Sequence, residues 1–368
     1  MSPPTADAEL RVGLIGFGLA GATFHAPLIA TTPGLRLAAV VTRDPERAAR
    51  ARRDHAGVTV VDTADRLWER ASSLDVVVVA SPNATHAALA TDALRAGLHA
   101  VVDKPFARTA AEGRALADEA RRAGRLVVPF HNRRWDGDLL TLRRLLDEGA
   151  LGRVHRFESR FERWRAAAKP RWASPAARGD GEGVLHDPGT HLIDQALLLF
   201  GPARTVYAEL DRRNPAHAVE DDAFVALTHA SGVRSHLYAS TAAAVAGPRM
   251  TALGDRGGYV KHGVDVQEEM LRAGARPDAP DWGEEPPDRW GELRSGAERR
   301  AVPTARGAYE RFYVALVTAI RDGAPPPVPA EDAIAGLRVI EAALVSGAEG
   351  RVVELIADAE TGSGKREA

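Results

Sequence analysis

The chain contains no cysteine, which excludes disulfides, thiolate metal ligands and cysteine nucleophiles together. Lysine is nearly as scarce: Lys104, Lys169, Lys261 and Lys365 are the only four among 48 basic residues. The skew toward arginine reflects composition rather than function, but it draws attention to any lysine inside a motif. No apolar run approaches the length of a membrane span. The opening Met1-Ser2-Pro3-Pro4-Thr5-Ala6-Asp7 lacks the basic and apolar pattern of a signal peptide. A formal charge of −2 offers no surplus for binding nucleic acid or an anionic membrane surface. The expectation is a cytoplasmic protein with a small-molecule ligand and neither nucleic-acid nor membrane partners.

A length of 368 residues is too much for one small core and predicts two domains. Up to residue 130, short apolar runs alternate with alanine-rich stretches of helical period. Strands are expected at Arg11–Ile15, Leu35–Val41, Val58–Val61, Asp75–Ala80, Leu98–Val102 and Leu126–Phe130. The run Val76-Val77-Val78-Val79 is apolar on both faces, as in a central strand of a covered parallel sheet. Thr109 and Glu112 predict a capping box, with Gly124 as the stop. The fold class is therefore α/β, with a Rossmann domain over 10–130.

After Phe130 the rhythm changes. A helix over Leu139–Glu148, a long strand over Arg153–Trp164 and a helix over Pro188–Phe200 are expected. Strands follow at about 203–212, 221–230, 233–241 and 249–262, with Ser231-Gly232 as a hairpin turn. The Pro277–Gly296 excursion reads as ordered irregular loop holding Trp282 and Trp290. Helices at about 306–322 and 330–346 close the pattern. We read 131–355 as an α+β catalytic domain with a large open, mostly antiparallel sheet whose face pairs subunits into a homodimer or homotetramer. Residues 356–368 read as a disordered tail.

The segment Gly16-Phe17-Gly18-Leu19-Ala20-Gly21 is G-x-G-x-x-G directly after the first strand and opening a helix. That is the context in which the motif binds a dinucleotide, with the pyrophosphate at the helix N-terminus. At the end of the second strand, Thr42 stands where a carboxylate would accept the ribose 2′-OH, and Arg43 lies beside it with Arg47 one turn on. A hydroxyl with guanidinium groups suits a 2′-phosphate, so NADP is expected, with NAD as the alternative. Asp44-Pro45 also reads as a plain helix cap. Further cofactor contacts are expected where the fourth and fifth strands end, at Ser81, Pro82, Asn83, His86, Asp103 and Lys104. Pro105 is a candidate cis proline, and His25 and His86 are candidates for contact with the nicotinamide or its ribose. The twelve histidines show no tight metal spacing, so no metal is expected.

Together these residues resemble the Gfo/Idh/MocA oxidoreductase family. Its motifs are the glycine-rich turn, Glu-Lys-Pro after the fifth strand and Asp-x-Gly-x-His-x-x-Asp in the second domain. Here the last two read Asp103-Lys104-Pro105 and Asp187-Pro188-Gly189-Thr190-His191-Leu192-Ile193-Asp194. The segments from Thr23 to Ile29, Phe130 to Trp135, Asp194 to Leu197 and Gly263 to Glu268 are similar to the branch containing NADP-dependent scyllo-inositol dehydrogenases. The sequence departs from that branch at Asp103 for Glu, at His186 and Pro188, and at Ala173 where an Arg is common.

Read from the residues, Asp187, His191, Asp194 and Gln195 fall on one side of a helix that is otherwise apolar. A polar stripe there requires partners, which a catalytic cleft would supply; Asp187 before Pro188 also reads as a simple N-cap. We expect Lys104, Asp187 and His191 to be catalytic. Oxidising a secondary alcohol requires loss of a hydroxyl proton as hydride leaves carbon. His191 can take that proton, Asp187 can orient the imidazole and stabilise its charged form, and Lys104 can hydrogen-bond the reacting oxygen. Asn132, Arg134, Trp135, Arg163 and His191 are the expected substrate contacts, with Arg133 and Arg165 nearby; surface cations and a packed tryptophan are the plain alternative. The functional expectation is an NADP-dependent dehydrogenase of a cyclic polyol or sugar. The alternatives are a keto-sugar or aldehyde reductase and a dinucleotide-sensing regulator on the same fold.

Overall fold

The computed structural model describes residues 9–165 and 167–355; the expected tail at 356–368 lies outside them. Six parallel strands, β1 (Leu10–Ile15), β2 (Leu35–Val41), β3 (Thr59–Val61), β4 (Val76–Val79), β5 (His99–Val102) and β6 (Val127–Pro129), form a sheet in the order β3-β2-β1-β4-β5-β6. Each lies within a residue or two of the expected span. All four valines of β4 are inaccessible to solvent, because helices cover both faces and leave no position for a polar side chain. Strand order reverses between β1 and β4, the point at which sheets of this kind bind ligands beyond their strand ends. The helix Ala110–Ala123 starts at Thr109, whose Oγ1 accepts from Glu112 N at 3.1 Å, and stops at Gly124 with φ +62°. The capping box is only half formed, since the Glu112 carboxylate accepts from Arg108 N rather than Thr109 N.

The remaining strands are β7 (Val154–Glu162), β8 (Ala203–Asp211), β9 (Asp222–His229), β10 (Arg234–Ser240), β11 (Met250–Gly254), β12 (Gly258–Lys261), β13 (Gly291–Ser295), β14 (Glu298–Val302) and β15 (Val353–Glu354). They form one sheet in the order β14-β13-β12-β11-β7-β10-β9-β8-β15, antiparallel except where β7 meets β10. Helices Gly189–Phe200 and Ala330–Glu349 pack on one of its faces, and the second also reaches the helix Ala110–Ala123 of the first domain.

Three expectations need correction. The strand expected over 249–262 is a hairpin, β11 and β12, turning at Asp255-Arg256-Gly257, where Gly254 N bonds Gly257 O. The excursion to Gly296 ends in strand β13, which pairs with β12 and β14. Its Trp282 is completely buried, with its indole N–H donated to Glu310 at 2.8 Å. Finally, the helix carrying His191 starts at Gly189 with Pro188 at the cap position, and Asp187 caps nothing.

Candidate active site

The glycine turn follows β1 at the reversal of strand order. Gly16 has φ +95°, and a Cβ there would lie 2.4 Å from Ala80 O at the end of β4. A Cβ on Gly21 would lie 1.9 Å from Gly16 O, so both positions exclude any other residue. Around Gly18 the space is open: the nearest atom to a Cβ there is Arg47 Nη1 at 3.7 Å. The turn therefore fits a dinucleotide, with backbone N–H groups at a helix N-terminus and room for a phosphate. Phe17 turns its ring into the core against His55, leaving only its backbone to the turn, whereas Leu19 is 57% exposed at the mouth. Ala20 opens the helix behind it.

At the end of β2, Asp44 is consumed as a helix cap. Its carboxylate accepts from Glu46 N at 2.9 Å and Arg47 N at 3.1 Å, and pairs with the Arg47 guanidinium at 3.3 Å. Thr42 Oγ1 accepts from Asp44 N at 3.3 Å. Arg43 is exposed.

Beyond β4, Ser81 Oγ meets Thr85 Oγ1 at 2.6 Å, Pro82 is exposed, and Asn83 Nδ2 donates to Gly181 O at 3.0 Å across to the second domain. Two histidines expected at the cofactor are instead internal. The ring nitrogens of buried His86 each lie 2.8 Å from a carbonyl oxygen, Pro105 O and Ser81 O. His25 is fully buried with Nδ1 2.7 Å from Tyr313 Oη. Its Nε2 stands 3.9 Å from Asp103 Oδ2, too far for a hydrogen bond. Asp103 itself accepts from Lys104 N at 2.7 Å.

Lys104 follows β5, and its peptide bond to Pro105 is cis. Its ammonium donates to Asp187 Oδ1 and, at 3.3 Å, to Asp187 O. The opposite carboxylate oxygen accepts from Lys169 Nζ at 2.8 Å and Arg171 Nη2 at 3.1 Å. Burial alone would raise the Asp187 pKa; the charges and hydrogen bonds of Lys104 and Lys169 outweigh it and hold the carboxyl well below its ordinary range. Both carboxylate oxygens are thus committed to cations, not to the imidazole as expected. His191 is buried and, among the described residues, its Nδ1 has no hydrogen-bond partner. Burial, then the charges of Lys104, Arg133 and His131, push its pKa well below the usual value, against a weaker opposing pull from Asp187. The charge of Lys104 thus reaches His191, and Asp187 acts on both.

The rest of the polar stripe is structural. Asp194 accepts from Arg134 through Nε at 2.9 Å and Nη2 at 2.5 Å, and Arg134 Nη1 donates to Asp332 at 2.9 Å. Gln195 donates to Arg133 O at 2.8 Å and accepts from Arg249 at 2.9 Å. Arg134, expected at the substrate, instead binds the turn after β6 to the helix Gly189–Phe200 from inside. Trp135 packs on Phe312, while its carbonyl accepts from Gln267 Nε2 at 3.1 Å. Asn132 is buried beside them. Arg163 is exposed at the end of β7, within electrostatic range of Asp187, Glu268 and Arg133.

Lys169 is the residue that motif reading missed. Its ammonium lies 3.8 Å from the centre of the Trp172 ring, and its backbone N–H donates to His217 Nε2 at 3.0 Å. Its one advance signal was rarity, as a lysine three residues from a tryptophan in a chain of arginines.

The lowered pKa values of His186 and His191 set a pH dependence. Burial pushes His186, next to Asp187, down to about 4. Below the unfolded value of about 6.5, the unfolded chain takes up a proton that the native His186 and His191 refuse, so stability falls as pH drops. Urea unfolding midpoints are expected to decline from pH 6.5 toward pH 4, less steeply in His186→Phe.

Both halves of the chain match models of one family: residues 10–131 match its "Oxidoreductase family, NAD-binding Rossmann fold" and residues 143–355 its "Oxidoreductase family, C-terminal alpha/beta domain". The chain is 41% identical over 340 residues to the uncharacterized oxidoreductase YdgJ of Escherichia coli (strain K12), covering 92% of this chain and 96% of that one. It is 33% identical over 351 residues to the scyllo-inositol 2-dehydrogenase (NADP(+)) IolW of Bacillus subtilis (strain 168), covering 94% and 96%. The crystal structure of an oxidoreductase from Bacillus cereus superposes with a TM-score of 0.85 at 29% identity, covering 95% of this chain and 99% of that one. A glycine turn that fits a dinucleotide, at the reversal of strand order, and a paired lysine and aspartate within electrostatic reach of a buried histidine thus sit in a chain that belongs to the Gfo/Idh/MocA family of NAD(P)-dependent oxidoreductases.

Proposed function

We propose that this oxidoreductase interconverts a secondary alcohol and a ketone on a polyol or sugar, with NADP as its coenzyme and with Lys104, Asp187 and His191 at the reaction centre. The observation that carries the reading is the pairing of Lys104 with Asp187 beside a buried, uncharged imidazole. The nicotinamide, when bound, accepts or returns the hydride. Neutral His191 takes the hydroxyl proton from the alcohol, and Lys104 stabilises the oxygen as negative charge develops on it. Asp187 serves the charge balance of the two lysines. NADP reduction measured against a panel of inositols and sugars tests this; NADP binding without turnover of any member would favour a sensing role instead.

An imidazole with a depressed pKa is already unprotonated at neutral pH, which suits alcohol oxidation. The acid limb of kcat/KM for oxidation is therefore expected below pH 6.5, since the base is lost only once pH falls through its lowered pKa. A limb at or above pH 7 would assign the base elsewhere.

The NADP preference is supported by the residues that directly follow β2, where the first carboxylate is not open to a ribose hydroxyl. Asp44 is spent on the cap and on Arg47, while Arg43 is free in solvent and the Arg47 guanidinium overhangs Gly18. A charge-assisted hydrogen bond contributes about 1.5–3 kcal/mol, so Arg43→Ala is expected to raise KM for NADP about tenfold and leave KM for NAD nearly unchanged. Equal effects on both coenzymes would remove the 2′-phosphate from this site.

Domain division near residue 130 and a homodimer or homotetramer belong to the same proposal. The sheet face away from the helices carries Phe224 and Tyr238 in contact at 5.0 Å, with Arg160 over the Tyr238 ring at 4.2 Å, a layer suited to a symmetric interface. Light scattering of the purified chain is expected to give a multiple of 39.2 kDa, and a monomer would contradict it.

A further inference from the structure

Around Asp187 the cations Lys104, Lys169 and Arg171 are matched by three carboxylates, those of Asp187, Glu182 and, attracting Lys104, Asp103. Lys104, Lys169 and Arg171 all bond its one carboxylate, and Arg171 shares Glu182 at 2.9 Å. Glu182 is further occupied by the Trp172 indole N–H at 3.0 Å. Arg133 is held by Glu268 at 2.5 Å and Asp136 at 3.4 Å. That leaves Arg163 and Arg165. Among the described residues neither guanidinium forms a hydrogen bond or ion pair, although the backbones of both are fixed, by Arg163 N to Ser240 O at 3.0 Å and Arg165 N to Thr241 O at 2.9 Å.

Arg163 lies close to the reaction centre, since the ring of Phe161, two residues before it, stands 6.5 Å from that of His191. Loss of hydration is the largest influence on it and lowers its pKa; Asp187 and Glu268 attract it, and Arg165 and Arg133 repel it. Both carboxylates in its reach are already held by other cations. Between the two arginines stands Trp164, 63% exposed at the same rim and joined through its backbone to Ala242. An oxidised nicotinamide brings still more positive charge to such a cleft. A neutral polyol would leave this surplus uncompensated, whereas a planar carboxylate matches the guanidinium fork.

We infer that the substrate is a sugar acid, a polyhydroxylated compound whose carboxylate is received by Arg163 at the rim while a ring or chain hydroxyl reaches Lys104 and His191. This rests on the proposed polyol or sugar chemistry and narrows it to one charge class.

The test pairs acids with their neutral counterparts, glucuronate with glucose and galacturonate with galactose, on the NADP-loaded protein. Binding is read from tryptophan fluorescence and turnover from NADPH formation. The acid of a pair is expected to bind at least tenfold more tightly, with an affinity that falls between low salt and about 0.5 M salt as screening acts on the pair. In Arg163→Ala the acid-to-neutral ratio should collapse toward one. Equal or better binding of the neutral sugar, an unchanged ratio in Arg163→Ala, or a preference for the corresponding sugar phosphate over the acid would each overturn the inference. Selective, salt-sensitive binding of acids without turnover would uphold the charge class and count against the proposed redox chemistry instead.

Discussion

Lys104→Ala is expected to lower kcat by about 10²-fold or more while NADP still binds. The side chain can be removed without collapsing its surroundings, because Asp187 keeps Lys169 at 2.8 Å and Arg171 at 3.1 Å. The carboxylate then remains paired, and what disappears is the cation proposed to stabilise the reacting oxygen. His191→Ala should cause a loss of similar size for a different reason, the absence of a proton acceptor. Steady-state turnover together with NADP titration by fluorescence separates the two cases from a folding defect. Turnover near that of the wild type in either variant would remove that residue from the reaction centre.

Arg134→Ala is expected to act on stability rather than on chemistry. It would leave Asp194, 4% exposed, without the two bonds it receives from Arg134, and would also free the Asp332 carboxylate. Removing one partner of a buried ion pair costs about 3–5 kcal/mol, because the surviving charge stays desolvated. Chemical denaturation should register that loss, and Arg134→Lys should restore only part of it, since an ammonium cannot reproduce the forked contact with Asp194. A large rise in KM at unchanged stability would return Arg134 to the substrate.

Local pattern carried the first domain. Runs such as Val76–Val79, the glycine turn and the Thr109 cap are each decided within a few residues, and they fall where the sequence places them. The second domain was less legible where pairing is non-local. Strands β13 and β14 have little apolar alternation because β14 is an exposed edge, and only pairing with β12 makes β13 a strand. At the site, the type of residue was readable but the partner was not. Asp187 and His191 share a helical spacing, yet Lys169, brought from a loop and held by His217, takes the carboxylate oxygen that the imidazole was expected to use. Arg134 read as a cleft residue because it follows the sixth strand, and Asp194 because it belongs to a polar stripe on an apolar helix; the match between them, 60 positions apart, is what burial requires.

The staple made by His86 has a consequence for how this enzyme can change. One imidazole ties the carbonyl at the end of the Ser81 turn to the carbonyl beside Lys104, at 2.8 Å on each side. The turn after β4 and the segment that carries Lys104 are thereby joined through one side chain. Drift in either is inherited by the other, so adaptation to a new coenzyme at this spot would disturb the chemistry as well, and substrate range is freer to evolve on the opposite wall.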